Sequence, residues 1–178
     1  MKIRKWVTSL LFLPLAALAD STTNAAKVQV LFTPGDNIAE TIVQTIRKAK
    51  QSVRVQCYSF TNKAIARALL DAQRRRIEVM VLADQEQFEK GAAFVLREFK
   101  EAGMTIKLDR SHGAAHNKVI LVDDAGEYPK IITGSFNFTQ AAQKYNAENA
   151  VIIHDDQRLA GAYRENWKRH WQHAASFE

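Results

Sequence analysis

The chain has one cysteine, three prolines and seven glycines in 178 residues. A single cysteine excludes an intramolecular disulfide and any zinc site built from a cysteine cluster. So few prolines and glycines leave no room for a long structureless linker. With 47% hydrophobic and 25% charged residues, low-complexity, collagen-like and globally disordered classes are also excluded. No apolar run reaches the roughly 20 residues of a membrane-spanning helix. The length suits one domain, large enough to bury about two thirds of its unfolded surface without staples.

The formal net charge is +6, which taken whole suggests a polyanionic partner. Part of it has another explanation. Lys2, Arg4 and Lys5 precede a mostly apolar stretch from Trp6 to Leu15, and Ala17-Leu18-Ala19 forms an A-x-A cleavage site before Asp20. This is the pattern of a secretory signal. The expected organisation is a signal peptide over 1–19, a flexible leader over 20–26 and one domain over 27–178. The expected location is periplasmic or secreted, with no stable membrane insertion after cleavage; the alternative is an anchor through an uncleaved N-terminus. Cleavage takes the 25 basic residues to 22 against 19 acidic ones, a net of +3. Local arrangement, not total charge, must then identify the substrate. Cys57 lies in an apolar pattern and reads as a buried small hydrophobe.

Periodicity predicts strands over 27–32, 52–60, 77–83 and 104–108, alternating with helices. Asn37 followed by Glu40 marks a helix start, and Ile38, Ile42, Val43, Ile46 and Ala49 form its apolar face. A second helix runs over 62–76 and a third over 85–102, with Phe88, Ala92, Val95, Leu96 and Phe99 inward and Gly103 as the stop. Strands over 116–122 and 128–133 follow around a short turn, so they are antiparallel neighbours. A strand over 147–154 and a helix from Asp155 or Asp156 to Trp171 complete the chain, with Leu159, Tyr163, Trp167 and Trp171 on one helical stripe. The fold class is α/β: a mixed, mostly parallel sheet with helices on both faces, in one domain.

Several residues carry potential chemistry. His116 and Lys118, two apart on a predicted strand, leave the same face, and both are costly to desolvate unless paired or facing an anion. Gly134-Ser135-Phe136-Asn137 follows a strand, where Gly134 permits close approach and Ser135 and Asn137 offer donors to phosphate oxygens. Taken singly, H-x-K is a common half-exposed strand and G-S-x-N a common turn. Glu148 starts the last strand; an acid there is able to fix an imidazole tautomer, or is a surface carboxylate.

Taken together, His116, Lys118, Asp123 and the later Gly134-Ser135-Phe136-Asn137 resemble the HKD motif of the phospholipase D superfamily. Thr133 to Thr139, Ala141-Ala142, Asn146 to Asn149 and the upstream Val55 to Thr61 are similar to the single-motif bacterial endonucleases of the Nuc type, over essentially the whole mature chain. Ten residues separate Asp123 from Gly134, more than is usual in the family; the extra length falls in a turn, where insertions are tolerated.

The resemblance implies a metal-independent phosphodiesterase that works through a covalent phosphohistidine and uses no cofactor. It implies His116 as the nucleophile or its partner acid, Lys118, Ser135 and Asn137 around the phosphoryl oxygens, and Glu148 orienting His116. Asp123 lies on the opposite strand face and is read as structural, with Gly134. One motif supplies one of two required histidines, so a homodimer is expected, with both copies of His116 at the two-fold axis. Lys107, Arg110, Lys118, Lys130 and Lys144 lie near the motif in sequence and suit a phosphate backbone. The expected substrate is DNA, with RNA as a further candidate. Three rivals stand beside this reading. One is a phospholipase D-type hydrolase or transferase acting on lipid headgroups, with Phe136, Phe138 and Tyr128 near the motif. Another is a metal site on His112 and His116. The third is a non-catalytic DNA-binding protein.

Overall fold

The computed structural model describes residues 27–89 and 93–177. The expected signal peptide and leader, and Ala92 of the third helix, lie outside the described residues.

Eight strands form one sheet: β1 (Lys27–Thr33), β2 (Ser52–Cys57), β3 (Glu78–Asp84), β4 (Thr105–Asp109), β5 (Lys118–Val122), β6 (Lys130–Gly134), β7 (Glu148–His154) and β8 (Ala175–Ser176). Their spatial order is β1-β7-β6-β5-β2-β3-β4-β8. Only β2–β3 and β3–β4 pair in parallel; the other five pairings are antiparallel. The sheet is mixed, as expected, but mostly antiparallel rather than mostly parallel. The reason is β1. Its helical crossover suggests a parallel neighbour in β2, yet β1 sits at the far edge against β7, and β5 takes the place beside β2.

The helices are α1 (Ile38–Arg47), α2 (Lys63–Arg74), a single turn α3 (Gln85–Gln87), α4 (Ala93–Glu101), α5 (Gln140–Lys144) and α6 (Gln157–His173). Helices α1, α2 and α6 each start where a side chain satisfies an orphan amide. Asn37 Oδ1 accepts from Glu40 N at 3.0 Å, Asn62 Oδ1 from Ala64 N at 3.0 Å, and Asp156 Oδ1 from Leu159 N at 2.8 Å. The α1 face predicted from spacing is buried without exception.

Two apolar layers sandwich the sheet. One combines α1, α2 and α4 with the Val53, Val55, Cys57, Ile120 and Val122 face of β2 and β5. The other packs Trp167 of α6, with Leu159, Tyr163 and Trp171 beside it, on Leu82, Val119, Leu121 and Ile131. Trp167 also donates its indole N–H to the Val55 carbonyl at 3.3 Å. Helices therefore cover both faces, as expected. No helix among the described residues is long and apolar enough to cross a membrane.

Candidate active site at the sheet edge

β2, β3 and β4 run together and end on one edge of the sheet, at Cys57, Asp84 and Asp109. β5 returns antiparallel to β2, with Lys118 opposite Cys57. The connection from β4 to β5 therefore crosses the carboxyl ends of the parallel strands, the place where open α/β sheets bind ligands. The sheet itself positions this connection. Asp84, buried at the end of β3, accepts the Ala115 N–H at 2.8 Å and the Gln87 N–H at 2.9 Å. His116 follows directly.

His116 precedes β5 rather than lying on it, because its imidazole is exposed while the strand begins at Lys118. The two side chains still meet. Lys118 is only 6% exposed, and its Nζ lies 2.9 Å from His116 Nδ1 and 3.1 Å from Nε2, donating also to the His116 carbonyl at 2.8 Å. Tyr58 backs the pair: its ring centroid is 4.3 Å from that of His116 and 5.1 Å from Lys118 Nζ. Gln87 Nε2 donates to the Tyr58 hydroxyl at 2.9 Å. Burial pushes the Lys118 amine down from its ordinary pKa, while the charge of Glu148 acts in the opposite direction.

The second arm of the site comes from β6 and β7. Gly134 ends β6 with φ +151°, and a Cβ there would lie 2.3 Å from the Asn149 carbonyl oxygen. Only glycine lets the two strands close at this point. That closure delivers Ser135, whose Oγ donates to Glu148 Oε2 at 2.5 Å and accepts from Asn149 N at 3.0 Å. Asn146 Nδ2 donates to Glu148 Oε1 at 2.9 Å. Glu148 thus gives one oxygen to Ser135 and the other to Asn146. The reason is local: strand β7 starts at Glu148, and its side chain folds back over the β6–β7 junction. The Asn137 amide oxygen is buried with no hydrogen-bond partner.

Asp123 stands at the other end of β5. With φ +51°, it turns its carboxylate onto the start of β2. There it accepts from Lys50 N at 3.0 Å, Gln51 N at 2.7 Å and Ser52 N at 3.0 Å. The neighbouring Asp124 is fully buried and paired with Arg54 and Arg164.

Other sequence neighbours do not converge on the site. Lys107 donates to the Trp171 carbonyl at 2.9 Å. Lys130 opens β6, about 13 Å from Gly134 at strand rise, and lines a cleft of about 640 Å³ with Asp123 and Tyr128. Phe136 and Phe138 are core residues, each 2% exposed. His112 turns away from His116 and joins Asp109, His170 and His173, so the His112–His116 metal site is not formed. The contributions of Tyr58, Asp84 and Gln87 were missed by sequence reasoning. Tyr58 stands in the quoted strand segment, but nothing in its pattern marks it as a neighbour of His116.

Residues 42–171 match the family described as cardiolipin synthase, PLD-like domain. A phospholipase D of Rickettsia conorii is 40% identical over 147 residues, covering 83% of this chain and 70% of its own length. The crystal structure of the phospholipase D family member Nuc from Salmonella typhimurium superposes with a TM-score of 0.80 at 31% identity, covering 86% of this chain and 99% of Nuc. NucT from Helicobacter pylori shares the fold, with a TM-score of 0.74 at 21% identity over 85% of this chain and 99% of NucT. The exposed imidazole on a buried lysine, the glycine-closed serine arm and these similarities together make the chain a member of the phospholipase D superfamily, with the fold of its Nuc-type phosphodiesterases.

Proposed function

We propose that this chain is an exported endonuclease that hydrolyses DNA, and RNA as a further substrate, as a homodimer. The observation that carries the reading is the Lys118 ammonium held beneath the exposed His116 imidazole, within 3.1 Å of both ring nitrogens. A buried cation under a nucleophilic ring calls for an anion above it, and a phosphodiester supplies one.

In the proposed reaction an imidazole nitrogen of His116 attacks phosphorus, and the bond to the leaving ester oxygen breaks. The partner subunit's His116, protonated, gives that oxygen its proton. Water then attacks the phosphohistidine, the same imidazole takes a proton from the water, and the P–N bond breaks. Lys118, Ser135 and Asn137 hold the equatorial oxygens, Ser135 by turning its one hydroxyl hydrogen from Glu148 to the phosphate, and stabilise their developing charge. Glu148 aims the Ser135 hydroxyl and balances Lys118, and Asp123 and Gly134 act through the scaffold.

Similarity to Nuc over 86% of this chain and 99% of Nuc, with the motif's resemblance to Nuc-type endonucleases, supports a nucleic-acid substrate over the lipid reading. So does the burial of Phe136 and Phe138, which leaves them unable to line an entrance for acyl chains. The naming of relatives as phospholipase D keeps the headgroup reading as the second candidate. Tag-free mature protein is expected to cut plasmid DNA in excess chelator. His116→Ala is expected to lower the rate by at least about 10³-fold. A strict divalent-ion requirement, or faster release of headgroup from phospholipid vesicles than cleavage of DNA, overturns the proposal.

A further inference from the structure

Four side chains from two stretches of chain, 109–112 and 170–173, converge at the edge of the sheet, beyond the phosphodiester site. Asp109 closes β4 with a side chain that is 0% exposed. Its carboxylate lies 3.0 Å from His112 Nδ1, 3.2 Å from His170 Nδ1 and 3.4 Å from His173 Nε2. The three imidazoles pack together, with ring centroids 4.8, 5.2 and 5.4 Å apart. One ligand atom from each residue lies within 4.8 Å of all the others.

We infer that Asp109, His112, His170 and His173 form a structural binding site for a zinc-class divalent cation. The geometry fits. A tetrahedral ion with bonds of about 2.0–2.1 Å has ligand–ligand edges of about 3.3–3.4 Å. The carboxylate-to-nitrogen distances already bracket that edge, and the wider ones close by side-chain torsion. The donor set fits as well. Three imidazoles and one carboxylate suit zinc and its first-row neighbours, and do not suit calcium or magnesium, which demand oxygen. Four protein ligands leave no open position, which assigns the ion a structural role and separates it from the phosphodiester chemistry.

The surroundings favour a cation. His170 and His173 lie in the last turn of α6, where the helix dipole presents its negative end. The Ser111 N–H donates to Asp109 Oδ1 at 3.0 Å, fixing the carboxylate as outer-sphere partners do. A cleft of about 360 Å³ leads to the cluster, and its lining carries Asp84, Glu86, Glu89 and Asp109 against one cation, Arg110. The ion would tie the end of α6 to the segment between β4 and β5, four residues before His116. It would brace the connection that carries the imidazole without touching the reacting phosphate.

The test uses the tag-free mature chain, stripped with chelator and titrated with Zn²⁺ and separately with Co²⁺. The expected result is saturation at one ion per chain, with the intense visible bands of four-coordinate cobalt. At an excess of about 100-fold over Kd, zinc is expected to raise the thermal midpoint by about 5–10 °C. His112 and His173 are 43% and 38% exposed, so His112→Gln and His173→Gln should stay folded by circular dichroism. Each is expected to weaken zinc binding by more than the roughly 100-fold that loss of an outer-sphere partner costs. His116→Ala is expected to bind zinc as the parent does, so the result stands or falls independently of nuclease activity. Failure to saturate at one equivalent, weak six-coordinate cobalt bands, or unchanged affinity in folded His173→Gln overturns the inference.

Discussion

Lys118 Nζ lies almost equidistant from the two ring nitrogens of His116, at 2.9 and 3.1 Å. It therefore sits midway between them, instead of pairing with one nitrogen and fixing a tautomer. The same ammonium is anchored by the His116 carbonyl. The strand thus places a positive charge under the imidazole before any substrate arrives.

That charge is held at a cost in stability, and Lys118→Met should reveal it. Burial lowers the folded pKa of this lysine below 10.5, so the folded chain binds fewer protons than the unfolded chain between the two values. The stability penalty is fully present at neutral pH and is relieved as pH rises through the folded pKa. Lys118→Met is expected to raise the thermal midpoint by about 2–4 °C at neutral pH, with the gap narrowing toward pH 10.5. The phosphodiesterase rate should fall by about 10²–10³-fold. Calorimetry across pH, beside initial rates, checks both.

Asp123 holds three backbone amides of the β2 start, about 17 Å from Lys118 along β5. Asp123→Asn keeps tolerance of the left-handed backbone and should cost about 1–2 kcal/mol, while Asp123→Ala should cost about 3. Urea midpoints report these losses. The turnover of the folded fraction should be unchanged, and a drop in it would give Asp123 a part in the chemistry.

Gly134→Ala should be the most damaging of the conservative changes. Its Cβ would meet the Asn149 carbonyl oxygen at 2.3 Å and the Ala150 Cα at 2.9 Å. Separation of β6 from β7 is expected to cost about 3 kcal/mol and to displace Ser135. Denaturant unfolding measures the first effect, and a fall in kcat of the folded protein measures the second.

Cys57 is 1% exposed, and burial pushes its thiol far above the usual cysteine range, with Asp84 adding to the effect. Iodoacetamide at about pH 8 should label it only in denaturant. Labelling of the native protein would indicate opening of β2 at the site edge.

What could be read from sequence followed from local rules. The apolar spacing of α1 and the stripe of α6 predict which faces are buried, because a helix brings i, i+3 and i+4 together wherever it lies. Asn37, Asn62 and Asp156 mark helix starts for equally local reasons. His116, Lys118, Ser135 and Asn137 stand out as a motif. The rest depends on long-range pairing. No periodicity shows that β1 crosses to the far edge of the sheet, or that Lys107 lies on Trp171. His170 is 61 residues from Asp109, and only the docking of α6 unites them. That Glu148 bonds Ser135 and Asn146 likewise depends on the β6–β7 junction.

Asp84 fixes Ala115 from the sheet, one residue before His116. Between that anchor and His112, which is held on Asp109, a side-chain carbon at Gly113 would meet nothing within 4 Å. A side chain at position 113 therefore has space that leaves the imidazole where Asp84 sets it. The fold thus sets a point that must not move beside a position where a side chain can be added without a clash.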